Sequence, residues 1–223
     1  MTGKLFVQAI SKYILGAVLV GALVFLPAGS TEFWQGWLFM GILFIPMFFA
    51  GIAMMLKNPA LLKERLDARE ERGAQRAVIA LSGLMFLLGF AAAGLNYRFA
   101  WPMLPAGISI AAAALFLLAY ILYAEVLREN TYLSRSIKVQ EGQKVIDTGL
   151  YGIVRHPMYS ATLILFLAIP LVLGSPVSFA IFLVYPILIA ARIKNEEALL
   201  ENELEGYRDY QKKVKYRLIP FVW

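Results

Sequence analysis

Apolar residues fall in long unbroken runs along this chain, and the polar residues gather between the runs rather than alternating with them. Apolar stretches cover 13–26, 34–56, 77–95 and 103–127, and a longer block covers 158–191. Several approach the roughly 20 residues that a helix needs to cross about 30 Å of hydrocarbon, so the pattern predicts spanning helices rather than a barrel. The first run stops at the breaker cluster Pro27-Ala28-Gly29-Ser30, and Trp34 and Trp37 open the second at the depth where tryptophans meet headgroups. Segment 57–76 is polar; the spacing of Glu64, Arg65 and Arg69 predicts a short surface helix or a solvated loop. The third and fourth runs are joined by 96–102, and the small residues at 91–94 and 111–114 predict close packing between these neighbours.

The block 158–191 is broken at Gly174-Ser175-Pro176, where Ser175 suits an N-cap and Pro176 the first helical position. It therefore reads as two helices in a hairpin, each arm with about 16 or 17 apolar residues, a little short for a full crossing. Pro170 and Pro186 predict kinks, and the backbone groups a kink frees must be satisfied by protein or by a water-lined cavity. The expected fold is all-α: a polytopic membrane helix bundle of about five transmembrane helices, the last two forming the hairpin, followed by a cytoplasmic C-terminal helix. One membrane domain, 1–223, is expected, with N-terminal helices over 1–127 and a loop, hairpin and C-terminal helix over 128–223.

Composition agrees and removes several chemistries. A chain of 223 residues that is 60% hydrophobic and 16% charged has more apolar surface than a water-soluble fold of this size can bury. With no cysteine, disulfides, thiolate metal sites and a cysteine nucleophile are excluded, and a single histidine argues against zinc. Neither a GxGxxG nor a GxxxxGK[ST] phosphate loop occurs. Every lysine and arginine except Arg98 falls on one side of the predicted spans, which places the N-terminus, both large polar loops and the tail in the cytoplasm. The net charge of +6 thus marks topology and contact with anionic membrane lipids; no basic stripe with interleaved aromatics speaks for nucleic acid. Lys4 and Lys12 before an apolar stretch resemble a signal peptide, but the charge count works with the first helix in place, and a retained helix is expected.

Chemically capable side chains concentrate in 149–159, Gly-Leu-Tyr-Gly-Ile-Val-Arg-His-Pro-Met-Tyr, which holds the single histidine. Pro157 fixes a helix start and keeps His156 out of the helical region, at an electropositive helix end suited to an electron-rich ligand group. A loop histidine beside an arginine snorkelling to headgroups is the plainer reading of this segment alone. The last helix runs out of its apolar block into Arg192, with Glu196 four residues on and on the same face. Arginine offers a fixed fork for carboxylate or phosphate, and Glu196 an acceptor for hydroxyls or ammonium. Glu201 and Glu205 read as solvated surface charges.

Together, Gly149-Leu150-Tyr151, Arg155-His156-Pro157-Met158-Tyr159, the hairpin, Arg192 with Glu196-Glu197, then Tyr207, Tyr210 and Arg217-Leu218-Ile219-Pro220 resemble the isoprenylcysteine carboxyl methyltransferase and phospholipid methyltransferase superfamily. The resemblance covers the C-terminal ninety or so residues; where that family commonly carries a histidine near Gln143, this chain has none. It implies S-adenosylmethionine as methyl donor, with Gln143, Val145, Ile146, Tyr151, His156, Pro157, Met158, Tyr159 and Glu196 around the cofactor and Arg192 facing a lipophilic substrate from the bilayer. If the acceptor is a carboxylate, Arg192 can position it; if it is an amine, Glu197 or His156 are the bases at hand. Two other readings compete: a membrane sterol or steroid reductase using NADPH, which would want more basic residues than Arg192 and Lys194 near the hairpin end, and a non-catalytic membrane scaffold, with which Glu125 is also compatible.

Overall fold

The structure, a computed structural model, describes residues 3–66, 73–133 and 139–223. Helices α1 (Gly3–Ala28), α2 (Trp34–Lys57), α3 (Pro59–Leu66), α4 (Gly73–Arg98) and α5 (Ala106–Glu129) are followed by a 3-10 turn (Gly149–Gly152). Then come α6 (Pro157–Val172), α7 (Pro176–Phe182), α8 (Tyr185–Glu203) and α9 (Tyr207–Lys213). No strand occurs among the described residues. Five segments are long and apolar enough to cross a membrane, with α7 and α8 counted as one; the chain is a multi-pass helical membrane protein. With 16 residues, α6 rises only about 24 Å.

The far turn of the bundle is built from small polar residues. Ser175 caps α7 by accepting from the Ser178 amide at 3.1 Å, and its hydroxyl donates to Asn96 Oδ1 at 2.8 Å. Asn96 in turn donates to the Trp101 carbonyl at 3.0 Å, so the α4–α5 connector is tied to the α6–α7 turn. Contacts between α6 and α8 run in opposite chain order, Tyr185 to Thr162 and Arg192 to Tyr159, which makes the two antiparallel. Of the two prolines expected to kink the hairpin arms, Pro170 lies in a helix interior, that of α6. Pro186 instead falls in the first turn of α8, after a break at Leu183 and Val184, where its missing N–H costs nothing. The kink expected there is an interruption between two helices.

Phe39, Phe90, Phe116 and Phe182 form the aromatic centre of the core, in edge and tilted contacts 5.5 to 6.2 Å apart. Consecutive spans do not pair as the small residues suggested: α4 packs along α1, and α5 along α6. Gly94 faces α1 so closely that an added Cβ would lie 2.5 Å from the Val24 carbonyl oxygen and 2.9 Å from the Ala28 amide nitrogen. Small residues signal close approach but do not name the partner. Gly94→Ala is therefore expected to push α1 from α4 and cost about 1–3 kcal/mol, read as a lowered thermal midpoint in micelles; an unchanged midpoint would refute the tight contact. Within the polar segment 57–76, α3 buries Leu61 and Leu62 and turns Arg65 onto the Tyr123 hydroxyl, while Arg69 lies outside the described residues.

Candidate functional site

The residues before α6 are set by backbone chemistry. Gly149 has φ +53°, open to glycine, and a Cβ there would collide with the Glu129 carboxylate, which accepts from the Thr148 hydroxyl. Tyr151 follows, its hydroxyl accepting from Asn130 Nδ2 at 3.0 Å and its carbonyl from the Tyr210 hydroxyl at 2.7 Å. His156 then stands as N-cap of α6 with φ −126°, and Pro157 opens the helix. A C-terminal strap runs beside this entrance: the Arg155 amide donates to the Tyr216 carbonyl, the His156 amide to that of Arg217, each at 2.9 Å, and the Ser160 hydroxyl to that of Leu218 at 2.6 Å.

Behind the entrance lies a buried charge cluster centred on Glu197, which is 3% exposed. Arg155 Nε donates to its Oε1 at 2.7 Å, Arg217 Nε to its Oε2 at 2.6 Å, and His156 Nε2 lies 3.3 Å from Oε1. Arg155 also donates to the carbonyls of Val214 and Lys215, at 2.7 and 2.9 Å. The arginine therefore turns inward to clamp the strap and does not snorkel to headgroups. Glu197 has three cationic or ring-nitrogen partners, which suits a structural anchor better than a base.

Arg192 and Glu196 stand a turn apart on α8, and a third residue joins them. Arg192 Nε donates to the Tyr159 hydroxyl at 2.9 Å, and that hydroxyl donates to Glu196 Oε2 at 2.6 Å. The Tyr159 ring stacks on His156 at 5.7 Å between centroids, and Arg192 Nη1 reaches Gln75 Oε1 at 3.4 Å. Helical spacing puts Arg192 and Glu196 on one face, but nothing in it announces a bridging phenol from α6.

Two cavities meet at this bridge. The first is a cleft with about 90 Å³ enclosed, opening into a wider mouth; Gln143, Val145, Ile146, Tyr151, His156, Met158, Tyr159, Arg192 and Glu196 all border it. Pro157 does not line it and is buried as the first residue of α6. Asn130, Arg155, Leu200, Leu204, Tyr207 and Tyr210 border it as well, a set that sequence reasoning did not assign to a ligand. Tyr207 is 4% exposed, and its hydroxyl has no hydrogen-bond partner among the described residues. Burial, then the carboxylates of Glu197 and Glu196, push its phenol well up, so it stands protonated as a spare donor.

The second cavity, about 420 Å³, lies between α4, α5, α6 and α8 and shares Met158, Tyr159 and Arg192 with the first. Its walls are mostly apolar, Val78, Ile79, Phe86, Phe166, Leu188 and Ile189 among them, with Arg65, Tyr123 and the Tyr185–Thr162 pair as polar points. Among the described residues no three histidine, aspartate or glutamate side chains group as a metal site.

Among curated proteins, the chain is similar to a Delta(14)-sterol reductase of Methylotuvimicrobium alcaliphilum, 30% identical over 93 residues, which cover 40% of this chain and 22% of that protein. It is also similar to a Delta(14)-sterol reductase of Mus musculus, 31% identical over 91 residues, covering 40% and 22%. The chain thus spans about a fifth of the length of these curated relatives. A family comparison covers the part of the molecule from α5 through the cleft to the end of α8. There, over residues 106–205, the chain is similar to the phospholipid methyltransferase family.

Proposed function

We propose that this protein transfers a methyl group from S-adenosylmethionine to a lipophilic or lipid-attached acceptor at the cytoplasmic face of the membrane. The observation that carries the reading is the meeting of two cavities, one bordered by the loop before α6 and by tyrosines of α9, the other lined mostly by apolar side chains of the spanning helices, at the wall formed by Met158, Tyr159 and Arg192. The family match over the same residues supports it. The orientation follows from the basic loops, which by the positive-inside rule face the cytoplasm together with the cleft.

The first cleft suits the donor by its chemistry. The Tyr207 hydroxyl is a buried donor without a partner, and Glu196 keeps one oxygen beyond the Tyr159 bond for ribose hydroxyls or an ammonium group. The aromatic faces of Tyr151, Tyr159 and Tyr207 suit a cationic sulfonium, worth about 0.5–2 kcal/mol where one is engaged. When bound, S-adenosylmethionine supplies an electrophilic methyl group whose transfer needs in-line alignment and exclusion of water more than acid–base help. The chain provides alignment through Tyr159, which Arg192 and Glu196 hold between the cavities. The polar groups named in the second cavity are largely donors, Arg65, Arg192 and Tyr123, which favours an acceptor bearing its own lone pairs, such as an isoprenylcysteine-like carboxylate, over a lipid ammonium.

Purified protein in lipid is expected to bind labelled S-adenosylmethionine, to lose affinity in Glu196→Ala and Tyr207→Phe, and to yield a methylated lipid detectable by mass spectrometry. Wild-type protein that binds no donor would overturn the reading. The second reading, an NADPH-dependent sterol-type reductase, is favoured by the two curated relatives. Thermal stabilisation by NADPH and not by S-adenosylmethionine would decide for it.

A further inference from the structure

One surface is not used by either cavity. After the strap, the chain presents Ile219, Phe221 and Val222 outward, 42%, 87% and 75% exposed. Phe221 is one of two described non-glycine residues with positive φ, at +65°, a conformation a bulky side chain rarely adopts. The backbone is thus bent at some cost, and it leaves an aromatic ring outside. The bend is well made: the Leu218 and Ile219 amides both donate to the Trp223 carbonyl, at 2.8 and 3.0 Å, and Arg217 lies over the Trp223 ring.

The level of this bend relative to the membrane follows from its neighbours. Leu218 is buried in the same core as the spanning helices, with Trp223 packed against that core. The Leu218 carbonyl accepts from Ser160, in the first turn of α6. The apolar tip therefore hangs beside the polar end of α6, next to the core of the spanning helices. Charge agrees: Lys212, Lys213 and Lys215 lie just upstream and are exposed, as suits an anionic surface.

We propose that residues 219–222 form a hydrophobic foot that enters the headgroup and acyl boundary of the leaflet on the basic side. In that seat the foot holds the strap 214–218 against the α6 entrance. The partner is the bilayer surface itself, anionic lipid by preference. Because the strap carbonyls receive the Arg155 and His156 amides and the Arg155 guanidinium, the leaflet is mechanically joined to the wall of the cleft. The inference does not depend on which cofactor the cleft takes.

The cysteine-free chain permits a direct test. Val222→Cys and, as a control on α9, Asp209→Cys are each labelled with a polarity-sensitive fluorophore in nanodiscs of phosphatidylcholine and phosphatidylglycerol. The Val222 label is expected to shift to the blue and be quenched by shallow nitroxide lipids, and the Asp209 label to be quenched by aqueous iodide. Iodide quenching of both labels would put the foot in water and overturn the proposal. Self-quenching of the Val222 label that grows with two copies per disc would assign the surface to a second copy and also overturn it. Separately, Phe221→Asp is expected to speed hydrogen exchange at the Arg155 and His156 amides in nanodiscs; unchanged exchange would remove the link between leaflet and cleft.

Discussion

Replacing Glu197 with alanine is expected to collapse the site rather than tune it. The carboxylate is 3% exposed and holds Arg155, Arg217 and His156, so its loss leaves a buried guanidinium beside an empty volume. Removing one partner of a buried ion pair costs about 3–5 kcal/mol, because the other charge stays desolvated and unpaired. Arg155 also carries the carbonyls of Val214 and Lys215, so the damage reaches the strap. Thermal unfolding in micelles should show a large fall in midpoint for Glu197→Ala and a smaller one for Glu197→Gln, which retains an acceptor oxygen. If Glu197→Ala unfolds like the wild type but fails in turnover alone, Glu197 acts as a base and the anchor role is wrong.

Tyr159→Phe should do the opposite, sparing the fold and harming function. The ring that stacks on His156 is kept, and only the hydroxyl between Arg192 and Glu196 is removed. Hydrogen bonds to charged groups are worth about 1.5–3 kcal/mol, so the efficiency of the proposed methyl transfer should drop about 10- to 100-fold, while the unfolding midpoint falls less than in Glu197→Ala because Arg192 and Glu196 are partly exposed and can turn to each other or to water. Comparing kcat/KM for donor and for acceptor locates the effect. Loss on both sides fits a residue shared by the two cavities; loss for the donor alone would make the bridge a feature of the first cleft only. Wild-type efficiency would remove Tyr159 from the reaction.

Several of these features can be read from the residues and others cannot, for a physical reason that recurs. Long apolar runs report spans because the bilayer imposes length on each helix separately, and Ser175-Pro176 reports a helix start because capping is local. The facing of Arg192 and Glu196 is likewise a property of one helix. Contacts that depend on which helices are neighbours leave no such trace. Arg155 reaches Glu197 across 42 residues and Val214 across 59, and nothing in its surroundings along the chain separates it from an arginine at the headgroups. Gly94 shows that a helix is approached closely, but its partner is α1, three elements away in order, and not the following span. The unpartnered hydroxyl of Tyr207 belongs to the same class, since burial of a tail residue is decided by what folds over it.

The shortness of α6 has a consequence for how the protein lives in membranes of different thickness. Every residue of this helix is buried or half-buried, whereas α1 and α2 expose large apolar side chains along much of their length. The helix that opens the cleft is thus a shaft of about 24 Å whose side chains are all at least partly covered by its neighbours. Helices α1 and α2 carry no residue of either cavity, and tilt of such helices is one way in which hydrophobic mismatch is accommodated. A thinner or thicker bilayer should therefore strain the periphery first and leave the spacing of Tyr159, Arg192 and Glu196 intact.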